Sequence, residues 1–350
     1  MERLLILRLG SMGDIIHTLP AAAALRRAFP DAILGWAVEE RWAELLCAPG
    51  AGGAPAGSLQ KPLVDGLHFI NTVAWRAALF SGETWKEASA ALAALRAAQY
   101  EAVVDFQGAW KSAAIAWWSG ARRIGFEQPR ESPATLFYDR RVLTLSTHVA
   151  QQNLELASAV TGRQETAMSF PLPCDPAAEA WREQELRRRG IAEYALLSPG
   201  AGWGAKVWSL QSYGEVARAL AAGGLPALVN FGPGEEALAR AVQQASDGAA
   251  QPVRCSLGEL IALARRARLC IGGDSGPLHL AAALGVPVVG IYGPTDPARN
   301  GPVGSAAIVL RSPESATSYA HHDRTDAGLL SILTGEVMAA ARRLLEGTHG

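Results

Sequence analysis

The sequence predicts an α/β protein made of two doubly wound, mainly parallel sheets in succession. Three observations predict it. At 350 residues the chain exceeds the usual size of a single core, so two domains of roughly 150 residues are expected. Short β-rich runs alternate with alanine-rich helical stretches, the pattern of strands joined by crossover helices. The strand runs of the second half each lead into a loop, which is where doubly wound sheets bind ligands.

In the first half, RLLILRL reads as a buried strand and DIIHTLPAAAALRRAFP as a helix. AILGWAV is the next strand and ERWAELLCA a further helix. Residues 49–66, rich in glycine, alanine and proline, read as a surface loop. HFINTV and EAVVDFQ are strands, with TWKEASAALAALRAAQY the helix between them. The stretch RQETAMSFPLPCDPAAEA (163–180) loses periodicity and gathers three prolines, which marks it as the interdomain linker. The second half repeats the scheme with strands YALLSPG, LPALVNFGP, ARLCIGGDS and PVVGIYGP and helices such as SLQSYGEVARALAAG. The domains are therefore placed at 1–170 and 176–326. The final helix, about 327–347, fits either half, including a return onto the first domain. Two such domains in succession imply a central cleft that they face, with ligands at the carboxyl ends of the strands.

Composition narrows the function. Hydrophobic residues are 49% and charged residues 19%, a globular balance, and a formal net charge of -1 gives no nucleic-acid footprint. Cys47, Cys174, Cys255 and Cys270 lack CxxC spacing and read as reduced, buried thiols of a cytoplasmic protein. Arg8 interrupts the N-terminal apolar run after four residues, so no signal peptide is expected. No apolar run is long enough to span a membrane.

Three loops carry ligand-binding chemistry. In IGGDSGPLHLAAALGVPVVGIYGPTDPARNGP (271–302) a strand ends in two glycines. Asp274 and Ser275 stand at the cap of a helix, Pro277 suits its first turn and Gly285 closes it. The helix N-terminus and the bare backbone at Gly276 suit a diphosphate, and His279 either faces the same ligand or is a core or surface histidine. In LLSPGAGWGAKVWSLQSYGEVA (196–217) a glycine-rich loop brings Lys206, either a mobile charge for a diphosphate or a solvated lysine on a flexible loop, before a helix beginning near Ser209. The spacing is not that of a Walker motif, and Trp208 reads as a packing residue. In NFGPGEEALA (230–239), Glu235 or Glu236 opens a helix and either contacts ribose hydroxyls or serves the helix alone. The opening stretch LLILRLGSMGDIIHTLP (4–20) differs, because Asp14 near a helix start would repel a phosphate. It is either a helix-end charge or a base aimed at a hydroxyl across the cleft.

LGSMGDIIHTLPA, GAKVWSLQSY and GDSGPLHLAAALGVPVVGIYGPTDP, in this order, resemble the lipopolysaccharide heptosyltransferases, family 9 glycosyltransferases of the GT-B fold. The likeness covers almost the whole chain. WAVEERWAELL (36–46), VVDFQGAWKSAAIA (103–116) and PRESPATLFYDR (129–140) are similar to the members that add the first heptose of the inner core. The resemblance implies inverting transfer of heptose from ADP-heptose to a Kdo or heptose sugar of the lipid A core, with no metal or other cofactor. It makes Asp14 the catalytic base. Lys206, Asp274, Ser275, Gly276 and His279 become donor diphosphate and sugar ligands, and Glu235 the ribose ligand. Gly10, Ser11, Gly13, Arg76 and Arg130 fall on the acceptor side, where the basic cluster around Arg76 is thin. Ser275 stands where the family often has threonine. An amphiphilic acceptor further implies contact with the cytoplasmic face of the inner membrane, through Arg122, Arg123 and Arg130 near Trp117 and Trp118, although a tryptophan pair in an apolar stretch is more often core. Rival readings are a GT-B-like nucleotide-sugar epimerase, a family 9 transferase with another sugar acceptor, and an idle sugar-nucleotide-binding protein. A dinucleotide oxidoreductase lacks its strand–GxGxxG–helix unit.

Overall fold

The computed structural model describes residues 1–47, 63–318 and 325–347. The chain divides into two compact units, Met1–Pro173 and Cys174–Gly350, and the division falls within the proline-rich stretch.

In the first unit β1 (Arg3–Leu7) leads to α1 (Met12–Ala28), β2 (Ile33–Val38) and β3 (Gly66–Phe69). Then come α2 (Thr72–Ala77), α3 (Gly82–Ala97), β4 (Ala102–Asp105), α4 (Trp110–Trp118), β5 (Arg122–Phe126), β6 (Arg140–Val142) and α5 (Val149–Thr161). All pairings are parallel and the strand order is β3-β2-β1-β4-β5-β6. The central strands are apolar on both faces because helices cover both, so Leu4 to Leu7 are fully buried. Two glycines let tyrosines lie across strands. A Cβ at Gly35 would stand 1.9 Å from the Tyr100 hydroxyl, and one at Gly125 would stand 2.4 Å from the Tyr138 ring.

The second unit runs α6 (Pro176–Arg189), β7 (Ala195–Ser198), α7 (Leu210–Ala222), β8 (Ala227–Phe231), α8 (Glu236–Ala245), β9 (Ala250–Arg254) and α9 (Leu257–Arg266). It continues with β10 (Leu269–Gly273), α10 (Gly276–Ala283), β11 (Val288–Tyr292), α11 (Pro297–Asn300), β12 (Ala307–Arg311), α12 (Ala327–Leu330) and α13 (Thr334–Gly347). The order β12-β11-β10-β7-β8-β9 is the first sheet's order read from its other edge, again all parallel. Each sheet therefore follows the Rossmann order, reversing direction once, between β1 and β4 and between β7 and β10.

Several expectations are corrected. The last helix is two pieces, α12 and α13, and α13 packs within the second unit. Val337, Ala341 and Leu344 join the core of the second unit with Trp208, Val216 and Val289. ERWAELLCA is a 3₁₀ turn over Glu40–Leu45, and the strand expected in HFINTV stops at Phe69, with Thr72 opening α2. Of the cysteines only Cys270 is buried, and Cys174 is exposed. Trp117 and Trp118 are 54% and 44% exposed and are not core. Most of the 49–66 loop lies outside the described residues.

Candidate active site

The point where strand order reverses leaves a crevice at the strand ends, and in both units it holds a cation paired with a carboxylate. In the first unit the chain leaves β1 through Arg8, Leu9 and Gly10 and enters α1 with Ser11 at the N-cap, so Asp14 falls in the first turn. Arg8 Nη2 lies 2.5 Å from Asp14 Oδ1, while the backbone N–H and the hydroxyl of Ser11 donate to Asp14 Oδ2 at 2.9 and 3.2 Å. Burial pushes the Asp14 carboxyl up, but the Arg8 guanidinium, the Ser11 hydrogen bonds and nearby His17 outweigh it and hold the pKa below the usual value. The carboxylate is thus ionised and oriented, and its side chain stays 32% exposed. Gly13 is buried in the helix, and Gly10 faces the Trp42 indole, where a Cβ would stand 3.0 Å from its nitrogen.

The loop after β4 completes this crevice. Asp105 is fully buried and accepts from the N–H groups of Gln107 and Gly108, from Ser112 Oγ and from Tyr138 Oη, at 2.8–3.2 Å. Burial raises its pKa and these four donors lower it in part, leaving a net upward shift. With all its acceptor positions engaged, Asp105 is a structural knot under the loop.

In the second unit the glycine-rich loop after β7 ends in a 3₁₀ turn, Gly204–Lys206, whose lysine reaches across to the loop after β10. Lys206 Nζ lies 2.5 Å from Asp274 Oδ2, His279 Nε2 lies 3.0 Å from Asp274 Oδ1, and Lys206 stands over the Trp203 ring at 5.1 Å. Burial acts to raise the Asp274 pKa, but the His279 hydrogen bond and charge, with Lys206, drive it far below the carboxylate range. Lys206, expected to be mobile or solvated, is instead 16% exposed and held. The backbones come close too, since a Cβ at Gly273 would stand 2.9 Å from the Lys206 carbonyl.

Ser275 takes the N-cap position of α10, but neither it nor Asp274 caps the helix by a side chain. The Ser275 hydroxyl is buried and has no hydrogen-bond partner among the described residues, a condition that a ligand oxygen would relieve. Gly276 opens α10, where first-turn N–H groups lack helical acceptors. Glu235 stands at the N-cap position of α8 but folds back without capping it by its side chain. Its Oε2 accepts from Gly232 N at 2.9 Å, and a Cβ at Gly200 would meet its Oε1 at 2.3 Å, which brings it beside the loop that carries Lys206. Trp208 is core, as read, and its indole donates to the Ile332 carbonyl at 3.2 Å.

The structure therefore brings Lys206, Asp274, Ser275, Gly276 and His279 together within one unit, with Glu235 alongside. It does not gather the acceptor-side arginines. Arg76 is exposed on α2 and donates to its own helix at Thr72 O, and Arg130 is exposed on the loop whose backbone covers Gly108. Sequence reasoning missed Arg8, Asp105 and Trp203. A charge at the end of an apolar strand and one inside it were the available signals, because each must find a buried partner. Among the described residues, no group of three or more His, Cys, Asp or Glu is placed to hold a metal ion.

Residues 89–327 match glycosyltransferase family 9 (heptosyltransferase). Lipopolysaccharide heptosyltransferase 1 of Salmonella typhimurium is 31% identical over 319 residues, covering 89% of this chain and 95% of that protein. The E. coli heptosyltransferase WaaC with ADP aligns over 98% of this chain and 99% of its own at a TM-score of 0.77 and 26% identity. WaaC with ADP-2-deoxy-2-fluoro heptose aligns over 97% and 99% at 0.76 and 26%. Two Rossmann-ordered units that match these proteins end to end have the GT-B fold, and the chain belongs to glycosyltransferase family 9 and is a glycosyltransferase.

Proposed function

We propose that the protein transfers heptose from ADP-heptose to a Kdo or heptose sugar of the lipopolysaccharide inner core, with inversion and with Asp14 as general base. The observation that carries this reading is the division of chemistry between the two crevices. One holds an ionised, oriented and partly exposed carboxylate; the other holds Lys206, a helix N-terminus and a buried hydroxyl without a partner among the described residues. A carboxylate suits proton removal from a sugar hydroxyl, and a cation with helix N–H groups suits a diphosphate. The acceptor O–H bond breaks, with its proton passing to Asp14. The oxygen attacks the anomeric carbon as the bond to phosphate breaks, and the electron pair leaves on ADP. A single displacement inverts the configuration. Asp274 and His279 are assigned to the donor sugar and diphosphate and Glu235 to the ribose. Gly10, Ser11, Gly13, Arg76 and Arg130 are assigned to the acceptor, and no metal is required.

The test offers ADP-heptose with Kdo-lipid A in EDTA and follows ADP release. Acceptor-dependent release is expected. Donor conversion without any acceptor would turn the reading toward an epimerase, and release only with another sugar would change the acceptor.

The amphiphilic acceptor also places the enzyme at the cytoplasmic face of the inner membrane in this proposal. No described helix is long and apolar enough to cross a membrane. Among the described residues, the exposed tryptophans, Trp85, Trp110, Trp117 and Trp118, all belong to the first unit, and the Trp118 carbonyl accepts from Arg96 at 3.5 Å. Arg123 is taken up by Asp139, so Arg122 is the better cationic contact. Co-sedimentation with anionic liposomes should fall when Trp117 and Trp118 are both changed to serine, and fall less for Arg122→Ala. Equal binding by all three proteins would remove the membrane contact from the proposal.

A further inference from the structure

We infer that Arg8 is the positioning residue of the base: its forked guanidinium ties the Asp14 carboxylate to the loop after β4 and fixes the direction in which that carboxylate meets the acceptor. The inference rests on the proposed role of Asp14 and goes one residue deeper. Arg8 is 6% exposed. One arm of its fork, Nη2, pairs with Asp14 Oδ1, and the other, Nη1, donates to the Phe106 carbonyl. The main chain on either side is pinned to the same loop, because Phe106 N donates to Leu7 O at 3.0 Å and Leu9 N donates to Gln107 Oε1 at 3.1 Å. The Trp36 indole donates to the Arg8 carbonyl at 3.0 Å. The loop is itself set by the four donors on Asp105, so the chain of contacts runs from a buried knot through Arg8 to the base.

The geometry divides the work on the carboxylate. Oδ1 is held by Arg8 and Oδ2 by Ser11, which leaves the remaining lone-pair directions for a hydroxyl. A lysine at position 8 keeps the charge but offers no planar fork, so it cannot hold the Phe106 carbonyl and Asp14 in the same fixed relation. Besides Arg8, His17 on α1 acts on Asp14, and its ring lies 5.3 Å from that of His148 at the N-cap of α5. Glu39, held by Arg41 at 2.6 Å, stands by Gly10, where a Cβ would lie 3.9 Å from its Oε2. These are common to every variant below, so differences among the variants report on Arg8.

The experiment measures kcat against pH, and ADP affinity, for wild type, Arg8→Gln, Arg8→Lys and Asp14→Asn in the full-length enzyme. Arg8→Gln removes the charge that favours ionised Asp14, so the acid limb of the profile moves to higher pH, and kcat at the plateau falls roughly tenfold through lost orientation. Arg8→Lys keeps the limb near its wild-type position but loses several-fold in kcat, and this variant carries the test alone if Arg8→Gln does not fold. ADP affinity is unchanged in both. A wild-type rate in Arg8→Lys overturns the proposal. So does a fall in rate in Arg8→Gln with the limb unmoved, which would mark a merely structural arginine. Wild-type turnover in Asp14→Asn would instead defeat the base assignment, a distinguishable failure.

Discussion

Asp14→Asn lowers turnover by about two orders of magnitude or more while ADP affinity stays unchanged. Asparagine retains the shape of the side chain and an oxygen that accepts from Ser11, but its amide does not take up a proton at neutral pH. Asp105, another carboxylate of the first crevice, cannot substitute, because it is fully buried and committed to four donors. The measurement is acceptor-dependent ADP release beside calorimetric titration with ADP. Near wild-type release would return Asp14 to the status of a helix-end charge. Loss of ADP affinity together with rate would place Asp14 on the donor side.

Lys206→Ala weakens ADP binding by roughly ten- to a hundredfold, the loss expected when a charge-assisted contact of about 1.5–3 kcal/mol disappears. The effect is compounded, because the variant leaves Asp274, 8% exposed, without its ammonium partner beside an anionic ligand. Stability changes with it. The Asp274 pKa is depressed in the folded state, so the stability it contributes is present above the unfolded carboxylate pKa and is lost as pH falls through the depressed value. Wild type therefore keeps this contribution through mild acid. In Lys206→Ala the lysine's lowering effect on the pKa is lost while His279 still opposes burial, so the acid fall in Tm begins at higher pH. An ADP affinity and a Tm profile both matching wild type would remove Lys206 from the site.

The sequence carries the donor loops well because their signals are local. A strand, a glycine turn, a polar cap and proline in the first turn lie within a dozen residues around Asp274, and each constrains backbone conformation directly. Elements of mixed character are harder to read. RRIGF and RRV form β5 and β6 at the end of the sheet, yet their arginines hide the apolar alternation that would announce a strand. Trp117 and Trp118 lie in an apolar run, and only the exposure of that face of α4 shows that they are not core. The apolar face of α13 is legible, but which surface it covers depends on where the second sheet leaves a gap, and that gap lies over α7 and strands far from it in sequence.

What the sequence by itself determined is the alternation of strands and helices through most of each half, the two-unit architecture and the residues that stand at the ends of the central strands, since short-range periodicity and turn chemistry specify these. What only the tertiary structure decided is which charges meet. Lys206 and Asp274 are 68 positions apart and become neighbours because β7 and β10 pair in parallel. Arg8 and Phe106 meet because β1 and β4 do. A charge acts on whatever is nearest in space, and in a parallel sheet the nearest strand end belongs to a segment reached only after an intervening crossover. Burial then fixes both meetings, Lys206 with Asp274 as an ion pair and Arg8 with the Phe106 carbonyl as a charged hydrogen bond, because a buried charge that loses its partner carries a large desolvation penalty.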